Sequence, residues 1–351
     1  MNASPDPALD QRARRERESI WDKILAQHDD GARLCAAEHD RKLVGFVATG
    51  PSRDPEQPRS APSPSTDATC LITPELPLDQ LSAGIRIFRA SPSNDLEPWL
   101  ALSSGAELVQ DAAAHGVPFI PSAVVPREDW RPPSAHEVGL LICPTVAEAS
   151  AAPGMVVAIL EMPEAVMQPL RSIALPESAP VQGTPVKTAD ADAAIGRALE
   201  YLAPYIESTE DFVIHGVRVQ RSPVVTATTH SMSGGLSFIG MHVDRWHHGD
   251  YGCGVHSQFS VNLGNRDRFF TFVNLPVHVL KDHYGDPVEG WLTIGRDFVA
   301  KNGGYPLVRL RLRPGEAYLA PTENLIHDVS LSGSPLPDIC FNLRGRFHLP
   351  T

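Results

Sequence analysis

From residue 223 to 346 the chain is a succession of short runs rich in alternating apolar residues, each closed by glycine, proline, serine or asparagine. Runs of that length and punctuation predict β-strands. The expected spans are 223–229, 237–244, 256–263, 268–274, 307–313, 316–320, 325–330 and 338–346. Eight such strands suit two facing sheets wrapped as a jelly roll. The last strand is the clearest: Ile339, Phe341 and Leu343 fall on one face, and Cys340, Asn342, Arg344 and Arg346 on the other. Phe259, Val261 and Leu263 likewise oppose Gln258, Ser260 and Asn262, and the Gly264-Asn265 turn leads back into 268–274 as a hairpin.

Two of these strands carry residues suited to metal chemistry. His242-Val243-Asp244 ends the apolar run that begins at Leu236, and His327 follows 85 positions after His242. A His-x-acid match alone means little, since 14 histidines and 42 acidic residues in 351 positions give about 1.7 by chance. The chain holds three, at His28, His242 and His248. His28 lies in a charged, helix-prone stretch, and His248 in the polar loop His247-His248-Gly249-Asp250-Tyr251-Gly252. Only His242 sits on an expected strand, where alternation turns His242 and Asp244 to the same side. Two imidazoles and one carboxylate, with no thiolate among them, match the facial triad of non-haem ferrous oxygenases. They do not match structural zinc or an iron–sulfur cluster.

After His327, the turn Ser332-Gly333-Ser334-Pro335-Leu336-Pro337 returns the chain into its last strand. Arginine on a strand otherwise built for a core needs a reason, and its guanidinium fork matches a carboxylate. In order, His-x-Asp, a distal histidine and an arginine on the final strand resemble the Fe(II)/2-oxoglutarate-dependent oxygenase superfamily over residues 206–351.

That resemblance implies an α+β chain with a double-stranded β-helix core of the jelly-roll or cupin-like kind. It implies Fe(II) held by His242, Asp244 and His327, which are also the catalytic residues, with 2-oxoglutarate and O2 as co-substrates. Arg344 would grip the far carboxylate of 2-oxoglutarate, and Arg346, two residues further on the same face, is the alternative. The 17-residue interval from His327 to Arg344 is longer than in many members, and the turn at 332–337 absorbs the difference. Gln258 and Asn262 either touch the co-substrate or satisfy backbone groups inside the barrel. The implied reaction is hydroxylation of an unactivated C–H bond in a small amino-acid-like or peptide-derived metabolite. Desaturation and cyclisation differ only in the fate of the substrate radical. The aspartate at position 244 argues against halogenation.

The rest of the chain is less specific. Residues 1–48 read as a helical segment with Ile20, Trp21, Ile24 and Leu25 as its apolar stripe, and 49–69 as a proline-rich linker or loop. Residues 70–205 read as an α/β layer packed on the 206–351 core, with 97–116 and 190–202 helix-like. The long connection 275–306 reads as a binding loop, and with 245–254, which carries Trp246 and Tyr251, it is the expected substrate contact.

A formal charge of −12 argues against nucleic acid and anionic membrane as main partners. There is no run of 18 apolar residues and no signal-peptide core, and the five cysteines lack any Cys-x-x-Cys pairing. Those features point to a reduced, cytoplasmic setting. Two other readings use the same residues. One is a cupin-like metalloenzyme that does not use 2-oxoglutarate. The other is a non-catalytic jelly-roll binding protein whose histidines are ordinary satisfied polar groups.

Overall fold

The final strand, Asp338–Phe347, is flanked on both sides, and its alternation explains how. Ile339, Phe341 and Leu343 are buried against helices on one face, while the opposite face carries Cys340, Asn342, Arg344 and Arg346. The computed structural model describes residues 79–91, 98–111, 119–152, 154–174, 189–220, 229–232, 235–244, 255–285, 292–331 and 337–349. The expected N-terminal helix, the proline-rich segment and the loop carrying Trp246 and Tyr251 lie outside those residues.

In chain order the first half holds β1 (Arg86–Arg89), β2 (Leu100–Leu102), β3 (Ala106–Leu108), β4 (Phe119–Pro126), α1 (Ala135–Leu141), α2 (Val146–Ser150) and β5 (Val156–Glu161). Two longer helices follow, α3 (Glu164–Ala174) and α4 (Ala189–Leu202). Then come β6 (Ile206–Gln220), β7 (Thr229–Met232), β8 (Gly235–Gly240), β9 (Ser257–Asn262) and β10 (Arg268–Phe272). After α5 (Val277–Tyr284) and α6 (Thr293–Asn302) the chain closes with β11 (Val308–Leu312), β12 (Glu316–Ala320), β13 (His327–Ser330) and β14 (Asp338–Phe347).

Three sheets result. One has six strands in the order β1-β5-β12-β9-β14-β6, and a second has four in the order β13-β10-β11-β2. The third, β3-β4-β8-β7, reaches the second through a bridge between His242 and His327. The fold is therefore mixed α+β and dominated by sheets. One core fills the interior, where Phe270, Tyr318, Phe272 and Leu310 meet. The other lies outside the six-stranded sheet, where α3 and α4 press Met167, Leu170, Leu199 and Leu202 onto Phe259, Val261, Phe341 and Leu343. Each fully buried Leu, Val, Met or Phe side chain among these contributes roughly 1.5–3 kcal/mol of transfer free energy. The two sheets are tied directly: Arg268 on β10 meets Asp338 on β14 at 2.7 Å and donates to Ser260 Oγ on β9 at 3.0 Å.

Seven of the expected strands, from 237–244 to 338–346, are found as β8 to β14 with shifted ends. Three expectations need correction. The strands at 256–263 and 268–274 do not pair as a hairpin: β9 lies between β12 and β14 in the six-stranded sheet, and β10 between β13 and β11 in the four-stranded one, so the Gly264-Asn265 turn carries the chain from one sheet to the other. The span 97–116 contains β2 and β3 in place of a helix, because Leu100–Leu102 completes the open edge of β11. The connection 275–306 is not an open loop. Val277, Leu280 and Tyr284, then Ile294 and Phe298, recur at helical spacing and pack α5 and α6 onto the interior core. The fifteen-residue β6 stands just ahead of the expected strand 223–229, of which only Thr229 is described. Within residues 70–205, β1 and β5 extend the six-stranded sheet and β2 the four-stranded one. Among the described residues no helix is long and apolar enough to cross a membrane, and Cys143 and Cys340 are buried free thiols.

Candidate metal centre

β8 ends at Gly240, whose φ of +67° turns the chain out of the strand. A Cβ there would lie 2.3 Å from the Val124 carbonyl oxygen, so the backbone must shift to admit any side chain. The turn leaves His242 opposite His327, and the two exchange backbone hydrogen bonds at 2.9 and 2.8 Å. Asp244 N–H then donates to the Thr322 carbonyl at 3.0 Å, which places its carboxylate beside both rings. So His242 and Asp244 do share a side, although both lie beyond the end of the strand and not within it.

The ring orientations follow from two carbonyls. His242 Nδ1 lies 2.9 Å from Gly240 O, and His327 Nδ1 lies 3.1 Å from Leu325 O. A carbonyl only accepts, so each Nδ1 carries a hydrogen and each Nε2 is turned inward, where it can offer a lone pair once its ring is neutral. His242 Nε2 is 3.5 Å from Asp244 Oδ1, and His327 Nε2 is 3.9 Å from Asp244 Oδ2. One ligand atom from each residue fits within 4.8 Å of the others. Atoms about 2.1 Å from a common ion stand roughly 3 Å apart at right angles, so these spacings leave room for a cation between them. Asp244 Oδ2 is buried without a hydrogen-bond partner among the described residues, as an oxygen reserved for a metal would be.

The electrostatics agree. Burial opposes a charged Asp244, but the His242 hydrogen bond and the two imidazoles hold its carboxyl well below the ordinary range. Burial lowers His327 to about 4, keeping it neutral and able to ligate. Burial also opposes a charged His242, but its hydrogen bond with Asp244 and the Asp244 and Asp328 charges outweigh that and raise it. A proton shared by His242 and Asp244 offsets the charge that a cation would otherwise neutralise. The residues fit a divalent ion with two nitrogen ligands and one oxygen ligand.

The other expected residues divide. Asn262 donates to the Arg266 and Leu312 carbonyls at 2.7 and 2.9 Å and accepts from Gly264 N–H at 3.0 Å, so it satisfies backbone groups at the β9–β10 turn. Gln258 sits opposite Arg344 on the same face of the sheet. Arg344 is buried near the centre, where it forms an ion pair with Glu323, whose other oxygen accepts from His256 N–H at 3.2 Å. Arg346 is half-buried two residues further along that face.

Glu323 and His256 escape a reading of the sequence because neither belongs to a motif. Arg218 escapes it too, although its position between Val217 and Val219 repeats the signal that marks Arg344. Comparison with protein families and with curated proteins finds no match for this chain.

Proposed function

We propose that this protein is an Fe(II)/2-oxoglutarate-dependent oxygenase that hydroxylates an unactivated C–H bond of a small amino-acid-like or peptide-derived metabolite. The observation that carries this reading is the buried convergence of His242, Asp244 and His327, two imidazoles and one carboxylate. The order of strands supports it. From β9 to β14 the chain crosses between the six-stranded and four-stranded sheets at every step but β10 to β11, a back-and-forth winding of the kind a double-stranded β-helix uses.

His242, Asp244 and His327 would hold the iron. With 2-oxoglutarate and dioxygen, a ferrous ion supplies an oxidant able to attack such a bond, releasing succinate and carbon dioxide. The chain's own residues do the remaining work. Gly240 and Leu325 carbonyls hold the imidazoles in the metal-binding tautomer. Phe270 packs 5.6 Å from the His327 ring and 4.3 Å from Tyr318, ring centre to ring centre, and keeps water from the inner side of the site.

The Arg344–Glu323 pair favours a second reading, a cupin-like enzyme that uses the same metal without 2-oxoglutarate, since the expected anchor already has a carboxylate. Anaerobic addition of Fe(II) and then 2-oxoglutarate separates the two. A weak visible charge-transfer band that disappears in His242→Ala supports the oxygenase. Iron binding without a band gives the second reading precedence, and no iron binding removes both.

A further inference from the structure

Helix α6 packs behind both histidine ligands. Its buried Gly295 lies so close that a Cβ on it would stand 3.6 Å from the Met241 carbonyl oxygen and 3.4 Å from Ile326 Cγ2. Met241 precedes His242 in the chain, and Ile326 precedes His327. One helical residue thus backs the neighbour of each imidazole. Alanine would just fit there; a longer side chain must push one of the two segments away.

The next residue of α6 holds the strand that sets His242. Phe119 pairs with Phe238 and Val124 with Gly240, so four residues of β4 lie between those pairs against one of β8. In this bulge Ser122 has a φ of +58°, and among the described residues no other side-chain-bearing residue has a positive φ. Such a conformation persists only where its surroundings hold it, and a bulge re-aims whatever follows. Arg296 provides the hold. Its Nε donates to the Ser122 carbonyl at 3.1 Å and its Nη2 to the Pro121 carbonyl at 2.9 Å. Two residues further on, the Val124 carbonyl accepts from Met241 N–H at 2.8 Å and stands where a Cβ of Gly240 would be. The Gly240 carbonyl then orients the His242 ring.

We propose that Arg296 is a positioning residue for the metal centre. It fixes the β4 bulge, and through Val124 and Gly240 the place of His242, while Gly295 lets the same helix seat the approaches to both histidines. This role rests on His242, Asp244 and His327 being ligands of a divalent ion, and it needs no particular co-substrate.

The test titrates the full metal-free chain with Co(II), a coloured stand-in for Fe(II) whose visible bands report ligand geometry. Wild type is expected to bind the ion. Arg296→Met should lower the affinity by about tenfold or more and alter the bands. Arg296→Lys keeps the charge but loses the fork that serves two carbonyls, and should fall between the two. Gly295→Ala should match wild type, whereas Gly295→Leu should lower the affinity and alter the bands as Arg296→Met does. Thermal midpoints of the metal-free variants are read alongside. Loss of packing alone would lower those midpoints and leave the affinity and bands of the folded chain as in wild type. That result in Arg296→Met and Gly295→Leu overturns the positioning role and leaves the metal centre intact. If Arg296→Met does not fold, Arg296→Lys decides by the same affinity and bands. A wild type that binds no Co(II) removes the metal centre itself, and the positioning role with it.

Discussion

His242 and His327 exchange both of their backbone hydrogen bonds, at 2.9 and 2.8 Å, and so bring their ring centres to 4.7 Å. Two ligands 85 positions apart in sequence are thus set by the backbone pairing itself, before any metal arrives. Their separation depends on the sheets and not on the side chains. A site preorganised in this way loses little conformational entropy on binding an ion.

Removing any member of the triad should therefore abolish the ion without unfolding the chain. His242→Ala, Asp244→Ala and His327→Ala are expected to lower Fe(II) affinity by more than about a hundredfold, and Asp244→Ala to abolish coupled succinate formation. Equilibrium dialysis with Fe(II) reads the first effect. Wild-type iron content in Asp244→Ala would sink the triad.

Gly240 should be nearly as sensitive as the ligands. Alanine there meets the Val124 carbonyl and must adopt a left-handed conformation, at a cost on the order of 1–3 kcal/mol. The carbonyl that orients His242 would shift with it, and metal affinity should fall about 10–100-fold. Thermal denaturation and metal titration separate the two effects. Unchanged affinity in a folded Gly240→Ala would remove the orienting role of this carbonyl.

The Arg268–Asp338 pair joins the two sheets, with both groups buried. Losing either partner leaves an uncompensated charge, so Arg268→Met or Asp338→Leu alone should cost about 3–5 kcal/mol, and the double substitution much less. Urea unfolding of the three variants measures the coupling. Additive losses would mean that the pair does not act as a unit.

Acid should destabilise the metal-free chain through its buried histidines. Burial first, then the Arg218 and Arg344 charges, lower His215 from 6.5 to about 3, and burial lowers His327 to about 4. Both groups take up protons in the unfolded chain before the folded one. Stability is thus unaffected by them above about pH 6.5 and is lost as pH falls from there toward 3, by up to about 1.4 kcal/mol per unit for each group. The raised His242 works in the opposite sense, adding stability at low pH that disappears as pH rises through its folded value. Urea midpoints at pH 7, 6 and 5 should fall less steeply in His215→Gln than in wild type. Parallel slopes would show that His215 is not the buried neutral group described here.

Local pattern determined a good deal of this protein. The alternation of Ile339, Phe341 and Leu343 with polar neighbours specified which face of β14 is covered by helices, because side chains on a strand alternate sides wherever the strand is placed. The same rule singled out His242-Val243-Asp244, although both residues lie past the end of β8 and it is backbone pairing with His327 and Thr322 that turns them together. What tertiary structure decided are the relationships between residues distant in sequence. Leu100–Leu102 became a strand because an edge of β11 needed pairing, which no local preference records. Arg344 and Arg218 look alike in sequence, each an arginine in an apolar strand. Only the folding of the 321–325 segment over the sheet gives Arg344 a glutamate and leaves Arg218 facing a histidine. The difference is electrostatic and acts across strands, so it exists only once the sheets are assembled.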